Sequence, residues 1–311
     1  MADLCLEVNN LRKNFGTFEA VKGISFSVKK GQVVGLLGPN GAGKTTTIQM
    51  LLGIMLPTSG VVNYFGKNFS KHRQESLQRI NFASAFNTLQ GRNTVFENLK
   101  VFGLLYEVKN LDKKIVELSE YFEITALMNQ RYWDLSAGQK TRVNLVKSLI
   151  NDPELILMDE PTASLDPDIA DKTLTLIEKL RAERNLSLLF TSHNMNEVTR
   201  ICDEVIFLDH GSIVAQDTPL NLTKLITKAY LKLTFEGDHK KVESYLTDKN
   251  LKFEFKGKNT VAVETEESLI PKIIFGIGEE KIWVLDIEVE KPNLEDVFLT
   301  FARKENKTDV T

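Results

Sequence analysis

The fold is decided by Val33-Val-Gly-Leu-Leu37 and by the segment directly after it, Gly38-Pro-Asn-Gly-Ala-Gly-Lys-Thr-Thr46. The continuous apolar run is typical of a strand buried on both faces. The glycine-rich segment matches the phosphate-binding pattern G-x-x-x-x-G-K-[ST], and it follows a predicted strand and opens a predicted helix, as that pattern requires. An incidental glycine turn is the alternative interpretation, and the complete motif in this setting argues against it.

The residue types of this segment, called the phosphate loop below, explain its chemistry. Glycines let backbone N–H groups turn towards phosphate oxygens, and the helix N-terminus adds partial positive charge. Lys44 is expected to reach the β- and γ-phosphates of a nucleotide, and the Thr45 hydroxyl is expected to bind Mg²⁺. The predicted nucleotide-binding residues here are Gly38, Pro39, Asn40, Gly41, Ala42, Gly43, Lys44, Thr45 and Thr46.

A second motif, Leu155-Ile-Leu-Met-Asp159-Glu160, ends an apolar strand with two carboxylates. Asp159 is placed to hold Mg²⁺, and Glu160 is placed to act as a general base on the water that attacks a phosphate. Such a base is worth about 10²–10⁴-fold in rate. Taken alone, the motif is equally compatible with a buried strand that ends in two solvated acids.

A third motif is Leu135-Ser-Ala-Gly-Gln139, called the signature segment below. Ser136 is a good helix cap, and capping is the structural explanation of this residue. A capped helix start with a glycine behind it can also bind an anion, because its N–H groups point outwards and another backbone can approach closely.

Together and in this order, the three motifs resemble the ABC-type ATPase family over about residues 4–217. The resemblance implies ATP and Mg²⁺ as ligands and ATP hydrolysis as the activity. It also implies a dimer, because in that family the signature segment of one copy closes on the ATP held by the other. Ser136, Gly138 and Gln139 are therefore expected to complete a partner's site, and we expect Ala137, in place of a usual glycine, to be tolerated.

Further positions match the same family. Phe15 falls where the family places an aromatic ring that stacks on adenine, although alone it would be interpreted as a core residue. Ser164-Leu-Asp166 resembles the loop that follows the two carboxylates, which adds Asp166 to the nucleotide-binding set. His193 resembles the histidine that contacts the γ-phosphate, so Glu160 and His193 are the predicted catalytic residues, and Thr45 and Asp159 the metal ligands.

One position departs from the family pattern. The family has a glutamine where the sheet meets the helical insertion, and this place falls at about Ala85. The departure affects the coupling of hydrolysis to movement rather than nucleotide binding. Nearby phenylalanines have two interpretations, a helical core or a groove for a membrane partner; they are Phe82, Phe86, Phe96 and Phe102.

The order of predicted elements gives the architecture. Strands that alternate with helices predict an α/β fold with a mostly parallel sheet. The resemblance makes this a P-loop NTPase with an antiparallel β-subdomain over residues 1–222, and a helical insertion spans about residues 86–151. Residues 223–311 read as strand, helix, strand, strand, helix, strand, which predicts a small ferredoxin-like α+β domain. Its closing segment, Pro292–Phe298, resembles that of ATPases from the drug-, glycoconjugate- and lipid-exporting branch of the family. The segment has two interpretations: it packs in the core, or it belongs to a module that stabilises the dimer or regulates activity.

Composition narrows the function classes. The chain has 311 residues, a formal net charge of −3 and two cysteines, so neither a nucleic-acid partner nor a disulfide framework is indicated. The first residues lack a signal-peptide pattern, and no apolar run reaches the roughly 18 residues needed to span a bilayer. A membrane function would therefore need another chain to supply the membrane part.

The predicted function is the ATPase subunit of an exporter. It would work with a second copy or a homologous ATPase subunit beneath a separate membrane permease, peripherally on the cytoplasmic face of the cell (inner) membrane. The alternative is a non-transport ABC ATPase with a regulatory or nucleic-acid-associated role. Such proteins usually carry two cassettes, zinc sites or long coiled coils, and this sequence has none. A degenerate ATP-binding regulator is a third possibility, against which four intact residues argue: Lys44, Asp159, Glu160 and His193.

Overall fold

The computed structural model describes residues 3–84, 89–163, 165–226 and 228–304. The chain divides into two compact units, Met1–Pro219 and Leu220–Thr311, which are described separately. The boundary expected near Leu222 lies inside a short helix, Pro219–Thr223. Within the described ranges no helix has both the length and the apolar character needed to cross a bilayer.

The larger unit alternates strands and helices. From its N-terminus to its end, the elements are β1 (Leu4–Phe15), β2 (Phe18–Lys29), β3 (Val33–Leu37), α1 (Lys44–Leu51), β4 (Ser59–Tyr64), β5 (Lys67–Asn68), α2 (Arg73–Gln78), β6 (Ile80–Ser84), α3 (Val95–Leu105), α4 (Leu111–Tyr121), α5 (Ala137–Ser148), β7 (Leu155–Asp159), α6 (Pro167–Arg184), β8 (Ser187–Thr191), α7 (Met195–Ile201), β9 (Glu204–Asp209), β10 (Ser212–Asp217) and α8 (Pro219–Thr223). Short 3-10 turns precede α5, at Thr125–Leu127 and Tyr132–Asp134.

The first sheet is antiparallel, with strand order β2-β1-β4-β5. A tight turn at Gly16 joins β1 and β2: Gly16 has φ +59°, and Phe15 lies opposite Phe18 across the hairpin. Each of the two strands has 12 residues. Alternate side chains of this sheet, such as Leu6 and Phe26, pack with central-sheet residues in one core, and that burial stabilises the long hairpin.

The central sheet has strand order β10-β9-β3-β8-β7-β6, parallel except for the edge strand β10. Its inner strands are apolar along their length: β3 and β8 are buried at every position, as expected for strands covered on both faces. The carboxyl ends of parallel strands meet at one edge, where ligands bind in sheets of this class. The ends of β3, β7 and β8 therefore bring their loops together.

The first helix of the insertion, α3, begins with a capping box. Thr94 accepts a hydrogen bond from the Glu97 N–H, and the Glu97 side chain accepts one from the Thr94 N–H.

The apolar run from Ile48 to Leu56 is helical only in its first part. The helix α1 ends at Leu51, and Leu56 is 75% exposed. Gly53, at φ +68°, adopts the left-handed conformation that ends helices.

The smaller unit has the predicted order of elements: β11 (Lys228–Glu236), α9 (His239–Asp248), β12 (Lys252–Gly257), β13 (Thr260–Glu266), α10 (Ile270–Glu279), β14 (Trp283–Glu290) and α11 (Leu294–Lys304). Its sheet is antiparallel with order β12-β13-β11-β14, the arrangement of a ferredoxin-like layer. Alternate β11 residues, including Leu231 and Leu233, form a core with α9 and α10. Asn293 caps α11 by accepting hydrogen bonds from the N–H groups of Glu295 and Asp296.

Candidate nucleotide-binding and hydrolysis site

Two glycines of the phosphate loop, which joins β3 to α1, occupy positions where a side chain would not fit. Gly38 has φ +153°, and a Cβ built on it would lie 2.2 Å from the Leu208 carbonyl oxygen. Gly43 is the N-cap residue of α1 at φ +102°, and a Cβ there would lie 2.7 Å from the Ala20 oxygen. Side chains at either position would clash with main-chain atoms, so the loop keeps its backbone available for phosphate oxygens.

Lys44 lies at the start of α1 and turns back over the loop. Its Nζ donates to the carbonyl oxygens of Gly38 and Pro39 at 2.6 and 3.1 Å. Burial lowers the pKa of Lys44, and the nearby carboxylates of Glu160 and Asp159 act in the opposite direction. The lysine, buried yet close to two acids, is a cation held ready for an anionic ligand.

The remaining loop residues place their polar groups outwards or hold the turn. Thr45 is exposed and Thr46 is half-buried at the first turn of α1. Asn40 and Gly41 are exposed, whereas Ala42 is buried and its N–H donates to the Pro39 oxygen. The Thr45 hydroxyl is therefore accessible to a ligand at the helix N-terminus.

The two carboxylates of the second motif differ in their surroundings. Asp159, the last residue of β7, accepts a hydrogen bond of 2.7 Å from the Thr191 hydroxyl at the end of β8. Glu160 is almost buried, and its N–H donates to the Thr191 hydroxyl oxygen. Glu160 also has φ +52°, a left-handed backbone conformation that is uncommon for residues other than glycine.

Glu160 faces His193, which lies two residues after the end of β8. The His193 N–H donates to Glu160 Oε2 at 3.2 Å, and His193 Nε2 lies 3.2 Å from Glu160 Oε1. Oε1 is buried, and the contact with His193 Nε2 does not have hydrogen-bond geometry, so Oε1 has no hydrogen-bond partner among the residues that the structure describes. Burial raises the pKa of Glu160, while His193 opposes this increase. A buried carboxylate oxygen that lacks a donor is suited to accept a proton from a water molecule.

Glu197 was not predicted from the sequence, yet its side chain connects the two loops around this pair. Its buried Oε2 accepts hydrogen bonds from the hydroxyls of Thr162 at 2.7 Å and Ser192 at 2.8 Å. Thr162 follows the two carboxylates and Ser192 precedes His193, so Glu197 joins the loops that carry both predicted catalytic residues. The only signal was Asn194-x-x-Glu197, a helix-capping spacing that would have placed the glutamate at the surface.

The signature segment lies outside this cluster. Ser136 caps α5, and the hydrogen bonds of its hydroxyl within the described residues run only to Gln139. Ser136 and Ala137 are exposed, while Leu135 is buried beneath them. Gly138 has a packing role that the sequence did not suggest, because a Cβ there would lie 2.8 Å from Ile169 Cγ2 of α6. The start of α5 is therefore exposed, and its Ser136 hydroxyl is engaged in capping the helix.

Comparisons with known proteins agree with this geometry. The family model described as "ABC transporter" matches residues 21–163. Over 306 residues, the chain is 32% identical to the linearmycin resistance ATP-binding protein LnrL of Bacillus subtilis, covering 96% of this chain and 98% of the relative. This chain belongs to the family of ABC transporter ATP-binding subunits. Like other members of that family, it is an ATPase.

Two further similarities each cover about 70% of this chain. The chain is 38% identical over 219 residues to the Nod factor export ATP-binding protein I of Ralstonia nicotianae, covering 70% of this chain and 68% of that protein. A solved structure of cbiO1 from Clostridium perfringens, part of the ABC transporter complex cbiONQ, matches 71% of this chain with a TM-score of 0.64 and 28% identity. The LnrL match extends over both units, so this ABC ATPase shares its smaller unit with a full-length relative.

Two further residues predicted to bind nucleotide, Phe15 and Asp166, are exposed. Phe15 is 48% exposed at the end of β1, so it is not a core residue; Phe18, which the sequence did not single out, is 63% exposed on the same hairpin. Asp166 is exposed at the N-cap position of α6 and makes no side-chain capping bond. Three positions of interest, Ala85, Phe86 and Ser164, lie outside the described residues.

A buried lysine joins the signature helix of the ABC ATPase to its central sheet. Lys147 Nζ, on α5, donates to Asn81 Oδ1 at 3.1 Å and to the Phe82 carbonyl oxygen at 2.8 Å, both on β6. Its ammonium group also lies 5.1 Å from the ring centre of Phe102 on α3. Burial lowers the pKa of Lys147 to about 8. The ammonium group of Lys147 on α5 therefore contacts both β6 and α3.

The lowered pKa predicts a measurable pH dependence of stability. Because the ordinary pKa is 10.5, the unfolded chain holds the Lys147 proton between about pH 8 and 10.5 while the folded protein releases it, so stability rises with pH. From about pH 7 to about pH 9.5, the free energy of urea unfolding of wild type should rise by about 2 kcal/mol relative to Lys147→Met. Lys113→Met, at an exposed position of α4, is the control. A pH-independent difference between wild type and Lys147→Met would contradict the assignment.

Proposed function

We propose that this chain is the ATP-hydrolysing subunit of an ABC exporter, and that it works as a dimer beneath a membrane permease. The observation that carries the catalytic part is the buried Glu160 Oε1, which lies beside His193 and close enough to Lys44 to affect its pKa. A strand end with solvated acids would not leave a desolvated carboxylate oxygen without a donor.

Binding rests on the phosphate loop. Backbone N–H groups of the loop and the N-terminus of α1 would surround the phosphates, and Lys44 would exchange its bonds to the Gly38 and Pro39 oxygens for the β- and γ-phosphates. The exposed ring of Phe15 would stack on the adenine. Lys44 thus gains an anionic partner and its protonated form is stabilised.

Hydrolysis rests on Glu160 and His193. Glu160 would accept a proton as the water oxygen attacks the γ-phosphorus, while the bond from phosphorus to the bridging oxygen breaks and ADP leaves. His193 would hold Glu160 in place through its N–H and present its ring to the γ-phosphate. The backbone bonds of Glu160 to Thr191 fix the carboxylate against the end of β8, which restricts the base to one orientation.

Mg²⁺ fits the groups present. The Thr45 hydroxyl is exposed, and the Asp159 carboxylate is oriented by Thr191. One carboxylate and one hydroxyl, together with phosphate oxygens and water, is a donor set that suits Mg²⁺. When bound, the ion would neutralise charge on the phosphates, with Thr45 and Asp159 as its protein ligands.

A second copy of the chain would complete the site. The signature segment forms the exposed, capped start of α5, whereas the phosphate loop leads into a different helix, α1. In the proposed dimer, Ser136, Gly138 and Gln139 of one copy lie against the ATP held by the other. Asp166, exposed at the start of α6, would lie at the same interface.

The helical insertion has an apolar surface suited to a membrane partner. Val101, Leu104 and Leu105 lie at helical spacing on α3 and are 48%, 63% and 69% exposed; they form the α3 stripe. Isolated exposed apolar residues are common, but three on one helix face are typical of a surface that another helix covers. Two of the phenylalanines that the sequence suggested for a partner groove, Phe96 and Phe102, also lie on α3 and are half-buried.

Substitution of the α3 stripe should separate docking from catalysis. Leu104→Gln with Leu105→Gln is expected to weaken binding to the permease by about 10-fold or more, because apolar contacts at the centre of an interface carry most of its energy. The measurement is co-purification of the tagged subunit with the permease and ATPase activity of the free subunit, which should not change. Val214→Gln, 40% exposed on β10, is the control. Undiminished co-purification would rule out the stripe as the docking surface.

Export and location follow from the same proposal. The relatives named for linearmycin resistance and Nod factor export favour an exporter, and the subunit would lie peripherally on the cytoplasmic face of the membrane. The test is reconstitution with a candidate permease, a multi-helix membrane protein. ATP-dependent movement of a compound out of cells or into inverted vesicles is expected. A permease-free chain that hydrolyses ATP at full rate in response to another partner would contradict the proposal.

A further inference from the structure

Trp133 is a large apolar side chain held in the open beside the signature segment. It is 77% exposed, and it lies in the 3-10 turn Tyr132–Asp134, three residues before Ser136. Tyr132 and Leu135 are buried, whereas the neighbouring residues Asp134, Ser136 and Ala137 are exposed. The indole is therefore exposed within a few residues of the start of α5.

The backbone of Trp133 is held by two hydrogen bonds. The Trp133 backbone N–H donates to the Gly91 carbonyl oxygen at 3.0 Å, and Lys140 Nζ donates to the Trp133 carbonyl oxygen at 3.2 Å. One edge of the ring rests on Gly91, where a Cβ would lie 2.9 Å from Trp133 Cε3. Gly91 thus leaves room for one edge of the indole, and most of the ring is exposed.

We propose that Trp133 is a dimer contact, covered by a second copy of this chain when ATP closes the two subunits. The inference rests on the proposed function, in which Ser136 meets the nucleotide of the other copy. Three residues span at most roughly 10 Å, so a partner surface that reaches Ser136 lies within contact range of the indole. Tryptophans covered at an interface are enriched among binding hot spots.

The chain has two tryptophans, which makes the proposal accessible to fluorescence. The double variant Glu160→Gln with Trp283→Phe retains Trp133 as the sole tryptophan and is expected to hold ATP without turnover. On addition of ATP and Mg²⁺, its emission should shift to shorter wavelength, and acrylamide quenching should fall by about half or more as the indole is covered. Light scattering on the same sample reports whether the dimer has formed. Glu160→Gln with Trp133→Phe, which retains Trp283, is the matched control and should show neither change.

The outcomes distinguish this inference from the proposed function. A dimer whose Trp133 remains as accessible to acrylamide as in the monomer overturns the inference and leaves the function standing. Failure to dimerise with ATP contradicts the function, and the inference with it. Shielding of Trp133 that needs the permease, and is absent from the ATP-bound dimer, also overturns the inference.

A second variant tests the energetic contribution. In the Glu160→Gln background, Trp133→Ala should raise the protein concentration needed for half-maximal dimerisation by about 10-fold or more, whereas ATP binding by the monomer should be unchanged. Trp283→Ala removes an equally exposed tryptophan, at 72%, from β14 of the smaller unit and should leave dimerisation unchanged. Equal effects of the two alanine variants would overturn the assignment.

Discussion

Glu160→Gln is expected to slow ATP hydrolysis by about 10²–10⁴-fold while leaving ATP binding intact. Glutamine has nearly the same shape, and its carbonyl oxygen can still accept the His193 N–H. It cannot act as the base that accepts a proton from water, however. With turnover blocked, ATP and Mg²⁺ should hold two copies together, so the variant should run as a dimer in size-exclusion chromatography.

The control for this experiment is Glu120→Gln, at an exposed position of α4, which removes the same charge far from the strand ends. It should retain the wild-type rate and form no persistent dimer. If Glu160→Gln hydrolysed ATP at the wild-type rate, the buried carboxylate would not be the base. Loss of ATP binding in this variant would instead indicate that Glu160 supports the fold of the loop.

Ser136→Arg should abolish dimer-dependent hydrolysis, by about 10²-fold or more, without preventing ATP from binding to the phosphate loop. The arginine side chain would occupy the open start of α5 and block its approach to a partner. The substitution also removes the capping hydrogen bond to Gln139, which costs about 0.5–2 kcal/mol of stability. Nucleotide affinity and turnover should be measured on the same preparation.

The chain offers a close control for the lost cap. Thr94 caps α3 with the same reciprocal pattern, through Glu97, and it belongs to the same helical insertion. Thr94→Arg should therefore lose similar stability but keep its ATPase activity. Equal loss of activity in both variants would mean that the effect of Ser136→Arg is only a destabilised helix.

The phosphate loop, the carboxylate pair and the capped helices were predictable because each depends on local sequence. A strand such as Val33–Leu37 is apolar throughout, and a capping box such as Thr94 with Glu97 satisfies its hydrogen bonds within four residues. The ferredoxin-like order of the smaller unit was equally readable, since its strands alternate and its helices are amphipathic. These features need no knowledge of distant contacts.

The residues that the sequence did not reveal owe their roles to distant contacts. Glu197 looks like a capping glutamate, yet it turns inwards to Thr162, 35 positions away. Gly138 looks like a phosphate contact, but in the structure it also makes room for Ile169. Lys147 looks like an exposed basic residue of the signature helix, and its burial against Phe82 follows from how α5 meets β6. Single-sequence patterns cannot specify which neighbour a side chain meets across the fold.

The most direct test of the composite site mixes two inactive variants, Lys44→Met and Ser136→Arg, carrying different tags. A heterodimer of the two has one doubly altered site and one site with the intact Lys44 of one copy and the intact Ser136 of the other. ATP hydrolysis by the purified heterodimer should therefore return, although neither parent is active. A heterodimer as inactive as its parents would contradict the claim that Ser136 acts on the nucleotide bound by the other copy.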